Sequence, residues 1–500
     1  MARYVMAIDQ GTTSSKAFIV NKRGEIVGRG GHQLTQIYPR AGWVEHDPIE
    51  IWESQKSACD DAMRDASIKP AGIEVVGIAN QRETTIVWER ETGRPVTNAI
   101  VWQCRRTADL CERLIEEGRG PIIRSKTGLV VDAYFSGTKI QWILQSVPGA
   151  MDRASRGELC FGTVDSWLVF NLTGRKTHVT DPSNASRTML FNIDTGEWDH
   201  EITRWLAVPE AMLPEIVNSS GICGHTAAEV FHGEIPIGGI AGDQQAALFG
   251  QSCFQRGDAK NTYGTGCFVL VNVGDEPLRS TRGLVTSVGW RIRNKTTYVL
   301  EGSVFIAGAA VQWLRDALGI IKDSADIEAL ACTVPDNGNV YFLPAFVGIG
   351  APYWDMGARG VLVGLTRGTT AGHLARATLE AIAHQTADII AAIVADWDGT
   401  LRELKVDGGA SENNLLMQFQ SDILGANVVR SANIQATAMG AAYLAGLATG
   451  YWSGLEELKQ LEPPAHRFVP SMTEEERTER RKEWQKLVRV AQAWGEGRPV

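Results

Sequence analysis

The sequence predicts a two-lobed α/β protein, and three observations carry that reading. Five hundred residues are too many for one hydrophobic core, which stops growing at about 250–300 residues. Early strands are followed by helical patterns that alternate with apolar strands, as in an α/β lobe. A strand–turn–strand with a Gly/Thr-rich turn occurs near the start and again at Lys260–Val273. That echo suggests two related lobes with a boundary near 250–258, where the chain is polar and turn-like. The expected division is a first lobe over 1–252, a second over 253–455, and a charged helical tail over 456–500.

Residues 3–8 form an apolar run, Gly11-Thr12-Thr13-Ser14 a turn, Ala17–Val20 a second run, and Glu25-Ile26-Val27 starts a third strand. This is a β-meander. Asp47-Pro48-Ile49-Glu50 reads as a helix start, with Asp at the N-cap and Pro at N1, running to about Ala66. Strands are expected at Ile73–Ala79 and Thr84–Trp88. Helical patterns follow at 303–318, 371–397, 413–424 and 436–448. The stretch 473–493 is densely charged and reads as a surface helix with Trp484, Leu487 and Val488 on its inner side.

Net charge is −9 and no long basic stretch occurs, which disfavours nucleic-acid or anionic-membrane binding. No run approaches the roughly 18 apolar residues of a membrane span, and the start reads as a strand instead of a signal peptide. The eight cysteines are scattered without Cys-x-x-Cys, which argues against a zinc site or a disulfide framework. A reducing cytoplasm is the expected compartment.

Several segments carry chemistry. Asp243 interrupts an apolar, small-residue stretch, where an unpaired carboxylate is costly. It reads equally as a catalytic base or as the N-cap of a helix starting near Gln245. Asp9-Gln10-Gly11-Thr12-Thr13-Ser14-Ser15-Lys16 gathers hydroxyls, a Gly and a Lys in one hairpin that can cradle phosphate, and Asp9 could hold Mg²⁺. Tyr263-Gly264-Thr265-Gly266 could be a second clamp. Val406-Asp407-Gly408-Gly409 runs from a strand into a helix, letting a flat ring approach the backbone. Asn80-Gln81-Arg82-Glu83-Thr84, Trp102-Gln103-Cys104-Arg105-Arg106 and Tyr134-Phe135-Ser136 each follow an apolar strand or run, where open α/β sheets place ligands. P-loop, dinucleotide and nucleophile-elbow motifs are absent. The nine histidines are dispersed, and His384 reads as packing inside its helix.

Taken together these segments resemble the FGGY family of carbohydrate kinases from about Tyr4 to Trp452. The telling stretches are 7–15 (Ala-Ile-Asp-Gln-Gly-Thr-Thr-Ser-Ser), 42–48 (Gly-Trp-Val-Glu-His-Asp-Pro), 80–85, 101–107, 134–139, 241–251, 261–268, 350–355 and 407–414. The resemblance implies an actin-like (ribonuclease-H-like) ATPase fold with ATP and substrate in the interlobe cleft. It implies Mg²⁺-ATP-dependent phosphorylation of glycerol to sn-glycerol 3-phosphate, the first step of glycerol catabolism, by a homo-oligomer (dimer or tetramer). Carried over by residue, Arg82, Glu83, Tyr134, Asp243 and Gln244 would bond glycerol, Trp102 and Phe268 would pack on its carbons, and Asp243 would be the base. Thr12, Thr13, Ser14, Lys16, Thr265, Gly308, Gln312, Gly409 and Asn413 would meet the nucleotide, with Asp9 near the metal.

Two departures stand out. Lys16 occupies a position where several family members carry Arg, and so lacks the bidentate fork. Members that respond to fructose 1,6-bisphosphate carry a basic Gly-rich loop before Asp243. Residues 223–237 here contain no Lys or Arg, and Glu229 falls where other members carry a regulatory phosphohistidine.

Overall fold

The computed structural model describes residues 3–397, 399–431, 435–462 and 465–495; the last five residues of the expected tail lie outside them. Strands β1 (Tyr4–Gln10), β2 (Ser14–Val20) and β3 (Ile26–Gln33) form the expected antiparallel meander. β1 and β2 are buried on both faces, so they read as continuous apolar runs. Helix α1 (Pro48–Asp65) starts as its sequence dictates: Asp47 accepts from the Ile49 N–H at 2.8 Å. Glu50 instead accepts from the Thr35 N–H at 2.9 Å, tying the helix to the chain leaving β3.

β4 (Ile73–Asn80) lies parallel to β1. The strand expected at 84–88 is Ile86–Glu89, and it pairs with Leu159–Gly162 outside the main sheet. β5 (Ser220–His225) and β6 (Pro236–Gly242) follow, β6 lying parallel to β4 and running directly into helix α2 (Asp243–Gly250).

The second half opens with β7 (Ala259–Tyr263), β8 (Cys267–Gly274), β9 (Val285–Ile292) and β10 (Lys295–Val304). β10 corrects the helix expected from 303, because helix α3 spans only Gly308–Asp316. The physical reason is that successive β10 side chains enter different cores. Tyr298, Leu300 and Val304 face one and Val299 faces another, a two-sided apolar run that sequence periodicity cannot tell from a helix. Helix α4 (Ala371–Trp397), β11 (Glu403–Asp407), helix α5 (Asn414–Leu424), β12 (Asn427–Ser431), helix α6 (Ala436–Thr449), β13 (Ala465–Phe468) and helix α7 (Glu474–Gly495) complete the frame. By length and composition α4 could cross a bilayer, but its most apolar window is 83% buried. Trp484, Leu487 and Val488 of α7 are buried as expected. His384 stacks on Trp484 at 5.0 Å with 6° between the rings, which is packing.

Among the described residues one sheet holds thirteen strands, in the order β13-β12-β11-β7-β8-β10-β9-β5-β6-β4-β1-β2-β3. The same motif appears twice within it. β3-β2-β1 is a meander continued by parallel β4 and β6, and β10-β8-β7 is a meander continued by parallel β11 and β12. The repeated hairpin in the sequence is the opening of this repeated unit. The halves join where Ser220 of β5 meets Ile292 of β9.

Helix α6 belongs to the second half of the chain yet packs on the first half's sheet. Its Ala438, Ala441, Ala442 and Ala445 share a core with Val5, Ala7, Val75 and Ala79, and with Leu270 and Val299 of the second half. It also crosses α2 at backbone contact: a Cβ on Gly440 would sit 1.8 Å from the Ala246 carbonyl oxygen. Overpacking of that kind typically costs about 1–3 kcal/mol. Gly440→Ala is therefore expected to lower the apparent melting temperature measurably. Gly120→Ala, where no atom lies within 4 Å of the added carbon, should leave it unchanged in the same thermal scan.

Candidate active site

Asp243 opens α2 at the carboxyl end of β6. Gly242, not Asp243, occupies the N-cap position, so the capping alternative falls away. The Asp243 Oδ1 accepts from the Gln244 N–H at 2.7 Å and lies 3.3 Å from Arg82 Nε, with the side chain 28% exposed. The carboxylate is thus held, charged-group to charged-group, at a sheet edge that opens to solvent.

Arg82 and Glu83 leave the end of β4 in a tight turn. Glu83 has φ +59°, a left-handed conformation that a Cβ-bearing residue keeps only when its surroundings over-determine it. Here its carbonyl accepts from Thr85 Oγ1 at 3.0 Å, Ser136 Oγ at 3.0 Å and Lys139 Nζ at 3.2 Å. The buried Lys139 also donates to the Tyr134 carbonyl at 2.6 Å, and burial pulls its ammonium down to about 8. The Glu83 carboxylate accepts from Arg187 Nε at 2.6 Å. Arg82 makes a bidentate pair with Glu301 at 2.6 and 2.8 Å. Arg187 and Glu301 were not among the sequence candidates, although Glu301 meets the criterion that singled out Asp243: a lone carboxylate in an apolar run.

Trp102 stands between Tyr134 and Phe268, with ring centroids 5.7 and 6.4 Å away, both edge-on. The three rings make an apolar wall beside the polar turn. Trp102 Nε1 donates to Thr12 Oγ1 at 2.9 Å, joining this wall to the first hairpin. Gln244 is buried and its Oε1 accepts from Lys260 Nζ; Lys260 also donates to Thr262 Oγ1 at 2.8 Å. All seven residues proposed to surround the substrate are therefore brought to one region.

The first hairpin is braced from behind. Asp9 pairs in register with Lys16. Burial raises the Asp9 carboxyl to about 6, with Lys16 opposing and Asp243 adding to the rise. Gln36 Nε2 donates to the Thr12 carbonyl at 2.8 Å, and Gln81 Nε2 donates to the Gly11 carbonyl at 3.2 Å. Both glutamines touch His46, Gln36 Oε1 at 3.0 Å from Nε2 and Gln81 Nε2 at 3.5 Å from Nδ1. That pattern requires a neutral ring protonated on Nε2. The stretch 42–48 thus has a physical role: Glu45 pairs with Arg106 at 2.7 Å, His46 braces the hairpin and Asp47 caps α1. Thr13 and Lys16 are exposed and Ser14 half-buried.

The second hairpin meets α3 and the Gly408-Gly409 turn. Gly308 N–H donates to the Gly264 carbonyl at 3.0 Å, and the Ala307 and Ala309 N–H groups donate to the Thr265 carbonyl at 2.9 and 3.1 Å. Gln312 lies one helical turn beyond Gly308. Gly408 has φ +84°, and a Cβ there would fall 2.4 Å from the Tyr263 carbonyl oxygen. Gly409 has no atom within 4 Å of a Cβ position, which leaves the space a flat ring needs. Asn413 caps α5, its Oδ1 accepting from the Leu416 N–H at 2.8 Å, so it presents that turn through its cap geometry.

A polar turn with an aromatic wall, set between two Gly/Thr hairpins of a repeated α/β unit, is an arrangement suited to a small-molecule kinase. Residues 4–250 match the N-terminal domain of the FGGY family of carbohydrate kinases and residues 259–449 match its C-terminal domain. The chain belongs to that family. It is 57% identical over 492 residues to glycerol kinase 2 of Thermotoga maritima, covering 98% of this chain and 99% of the relative. It is 56% identical over 494 residues to a Burkholderia cenocepacia glycerol kinase, covering 99% of each. Its fold superposes on Plasmodium falciparum glycerol kinase crystallised with ADP at a TM-score of 0.92, with 35% identity and 98% of each chain covered. A Lactobacillus acidophilus gluconate kinase shares the fold at 0.88 with 22% identity. The two-lobed actin-like architecture expected from the sequence is the one present.

The bracing of the hairpin makes stability depend on pH. Burial lowers His46 to about 4 from an ordinary value of 6.5, and His178 likewise. At these two histidines the unfolded chain therefore binds more protons between these values, so their contribution to stability is full above about pH 6.5 and is lost as pH falls toward 4. Thermal scans between pH 7.5 and 4.5 are expected to fall more steeply for the wild type than for His46→Asn, which keeps the His178 share only.

Proposed function

We propose that the enzyme phosphorylates glycerol at a terminal hydroxyl with ATP, giving sn-glycerol 3-phosphate and ADP. The observation that carries this reading is the meeting of Asp243 with the Arg82–Glu83 turn beside the Trp102–Tyr134–Phe268 wall. A triol needs a donor or acceptor for each hydroxyl and an apolar surface for its CH groups. Arg82 and the Gln244 amide supply donors, Glu83 and Asp243 acceptors, and the rings the surface. The glycerol kinases to which the chain is 56–57% identical support the same substrate.

In this reading Asp243 accepts the hydroxyl proton as the oxygen attacks the γ-phosphorus in line and the bond to the bridging oxygen of ADP breaks. Thr12, Thr13, Ser14 and Lys16 cradle the phosphates from one hairpin and Thr265 from the other, with Gly308 at the start of α3 leaving room beside it. Gly409, Gln312 and Asn413 border the nucleoside. The donor set near Asp9 and Asp243 is hard carboxylate oxygen, which suits Mg²⁺ with several retained waters; Asp9 would hold it, and it would neutralise phosphate charge. A coupled assay with glycerol and ATP, run beside tetritols and ketoses, tests the assignment: turnover of another polyol in preference to glycerol would refute it.

Asp243→Asn keeps the shape and removes the proton acceptor. It is expected to lower kcat by about 10²–10⁴-fold with glycerol binding partly retained; near-native kcat would remove Asp243 from the role of base.

Regulation by a bisphosphorylated sugar is expected to be absent. The surface pocket at this loop, about 310 Å³, is lined by Lys176, His225, Glu229 and Glu234 among others. One lysine and one histidine beside two carboxylates are too little positive charge for two phosphates. Millimolar fructose 1,6-bisphosphate should leave the initial rate unchanged at constant ionic strength and free Mg²⁺. Dose-dependent inhibition under those controls would contradict this.

A further inference from the structure

Glu301 projects from β10, in the second half of the chain, into the turn that carries Arg82 and Glu83 in the first half. It is 2% exposed. Its two oxygens take Arg82 Nη1 and Nη2 at 2.6 and 2.8 Å, and Arg187 Nη1 lies 3.2 Å away. Arg187 in turn holds Glu83 through Nε at 2.6 Å and packs over the Tyr134 ring at 5.5 Å. One carboxylate therefore sets the spacing of two guanidiniums, each of which touches a residue of the pocket. Lys260 adds positive charge facing Glu301.

The arrangement matters because of what else Arg82 could bind. Its Nε is already 3.3 Å from Asp243 Oδ1 and 3.9 Å from Glu83 Oε1. A guanidinium prefers a two-point fork with a carboxylate. With its Nη pair engaged by Glu301, Arg82 presents only the Nε edge to Asp243. Released from Glu301, it could turn its fork onto Asp243, which would occupy the oxygen needed for a proton and remove a donor from the substrate.

We propose that Glu301 is a positioning residue of the polyol pocket: from the second half's sheet it fixes Arg82 so that the cation orients substrate while meeting Asp243 through its Nε alone, without closing a two-point fork on it. It follows that the pocket is completed only when β10 is seated against the end of β4. This inference rests on the polyol-kinase reading above and adds to it a residue that acts through Arg82.

The test is steady-state kinetics of the full-length enzyme. Glu301→Gln keeps the shape but gives Arg82 one acceptor oxygen in place of a charged fork. It is expected to raise the glycerol KM about tenfold and lower kcat about tenfold, the scale of one charged hydrogen-bond pair, with the MgATP KM within about twofold. Because Glu301 acts through Arg82 and, by way of Arg187, on Glu83, the double variant Arg82→Met/Glu301→Gln should lose clearly less kcat/KM for glycerol than the product of the two single losses, the remainder being the Arg187 share. Glu301→Asp keeps the buried charge, and so the fold, while withdrawing the carboxylate by one methylene. It is expected to move the glycerol KM in the same direction by less, and it decides the matter if Glu301→Gln does not fold. An unchanged glycerol KM in a folded variant, a selective rise in the MgATP KM, or additive losses in the double variant would each overturn the proposal. Wild-type turnover is measured first across glycerol, tetritols and ketoses. If another polyol is preferred, the substrate assignment fails by itself, and the same comparison made with that polyol still decides the role of Glu301.

Discussion

Everything in the pocket hangs on two guanidiniums and two carboxylates buried together, Arg82, Arg187, Glu83 and Glu301. Their formal charges cancel, which is what allows them to be buried at all. Their environments differ within the same cluster. Burial raises Glu301, but Arg187 and Arg82 outweigh it and bring the carboxyl down to about 2. For Glu83 burial dominates and the carboxyl stands above its ordinary value. Removing one partner of such a group leaves an uncompensated charge, at a cost of about 3–5 kcal/mol. The left-handed turn at Glu83, held by hydrogen bonds to its carbonyl, places the Glu83 carboxylate within this cluster.

The proposed substrate pocket and the two Gly/Thr hairpins are built from shared parts. Trp102 is both a wall of the pocket and a donor to Thr12. Lys260 bonds Gln244 of the pocket and Thr262 on the strand that feeds the second hairpin. A small displacement of either hairpin is thereby felt at Trp102 and Gln244, as expected of interiors that are close-packed and hydrogen-bonded instead of fluid.

Much of this was legible in the chain. The two hairpins were legible as Gly/Thr turns between apolar runs, a pattern that a plain hairpin also fits, and their short echo suggested two related lobes, which the sheet shows as a repeated unit. Asp243, Arg82, Glu83 and Trp102 were legible because each sits just past a strand or apolar run. The strand Lys295–Val304 was lost because both its faces are buried, which erases the alternation that marks a strand, and Glu301 was lost with it. Arg187 carried no local signal at all. It lies in a polar run, Ser183-Asn184-Ala185-Ser186-Arg187-Thr188, and its meaning comes from Glu83, 104 residues away in sequence. His46 was quoted within a motif, but its bracing of Gly11 and Thr12 depends on two glutamines from separate segments.

Helix α6 covers the face of β1, β4 and β6, yet it lies at residues 436–449. During synthesis the strands it covers emerge long before the helix. For most of that interval Val5, Ala7, Val75 and Ala79 have no permanent cover, and an apolar sheet face left open invites association with other chains. Biogenesis of this protein therefore calls for something to occupy that face in the meantime, whether an early portion of the second half or a holding chaperone. The first lobe becomes a finished folding unit only once Thr449 has cleared the ribosome.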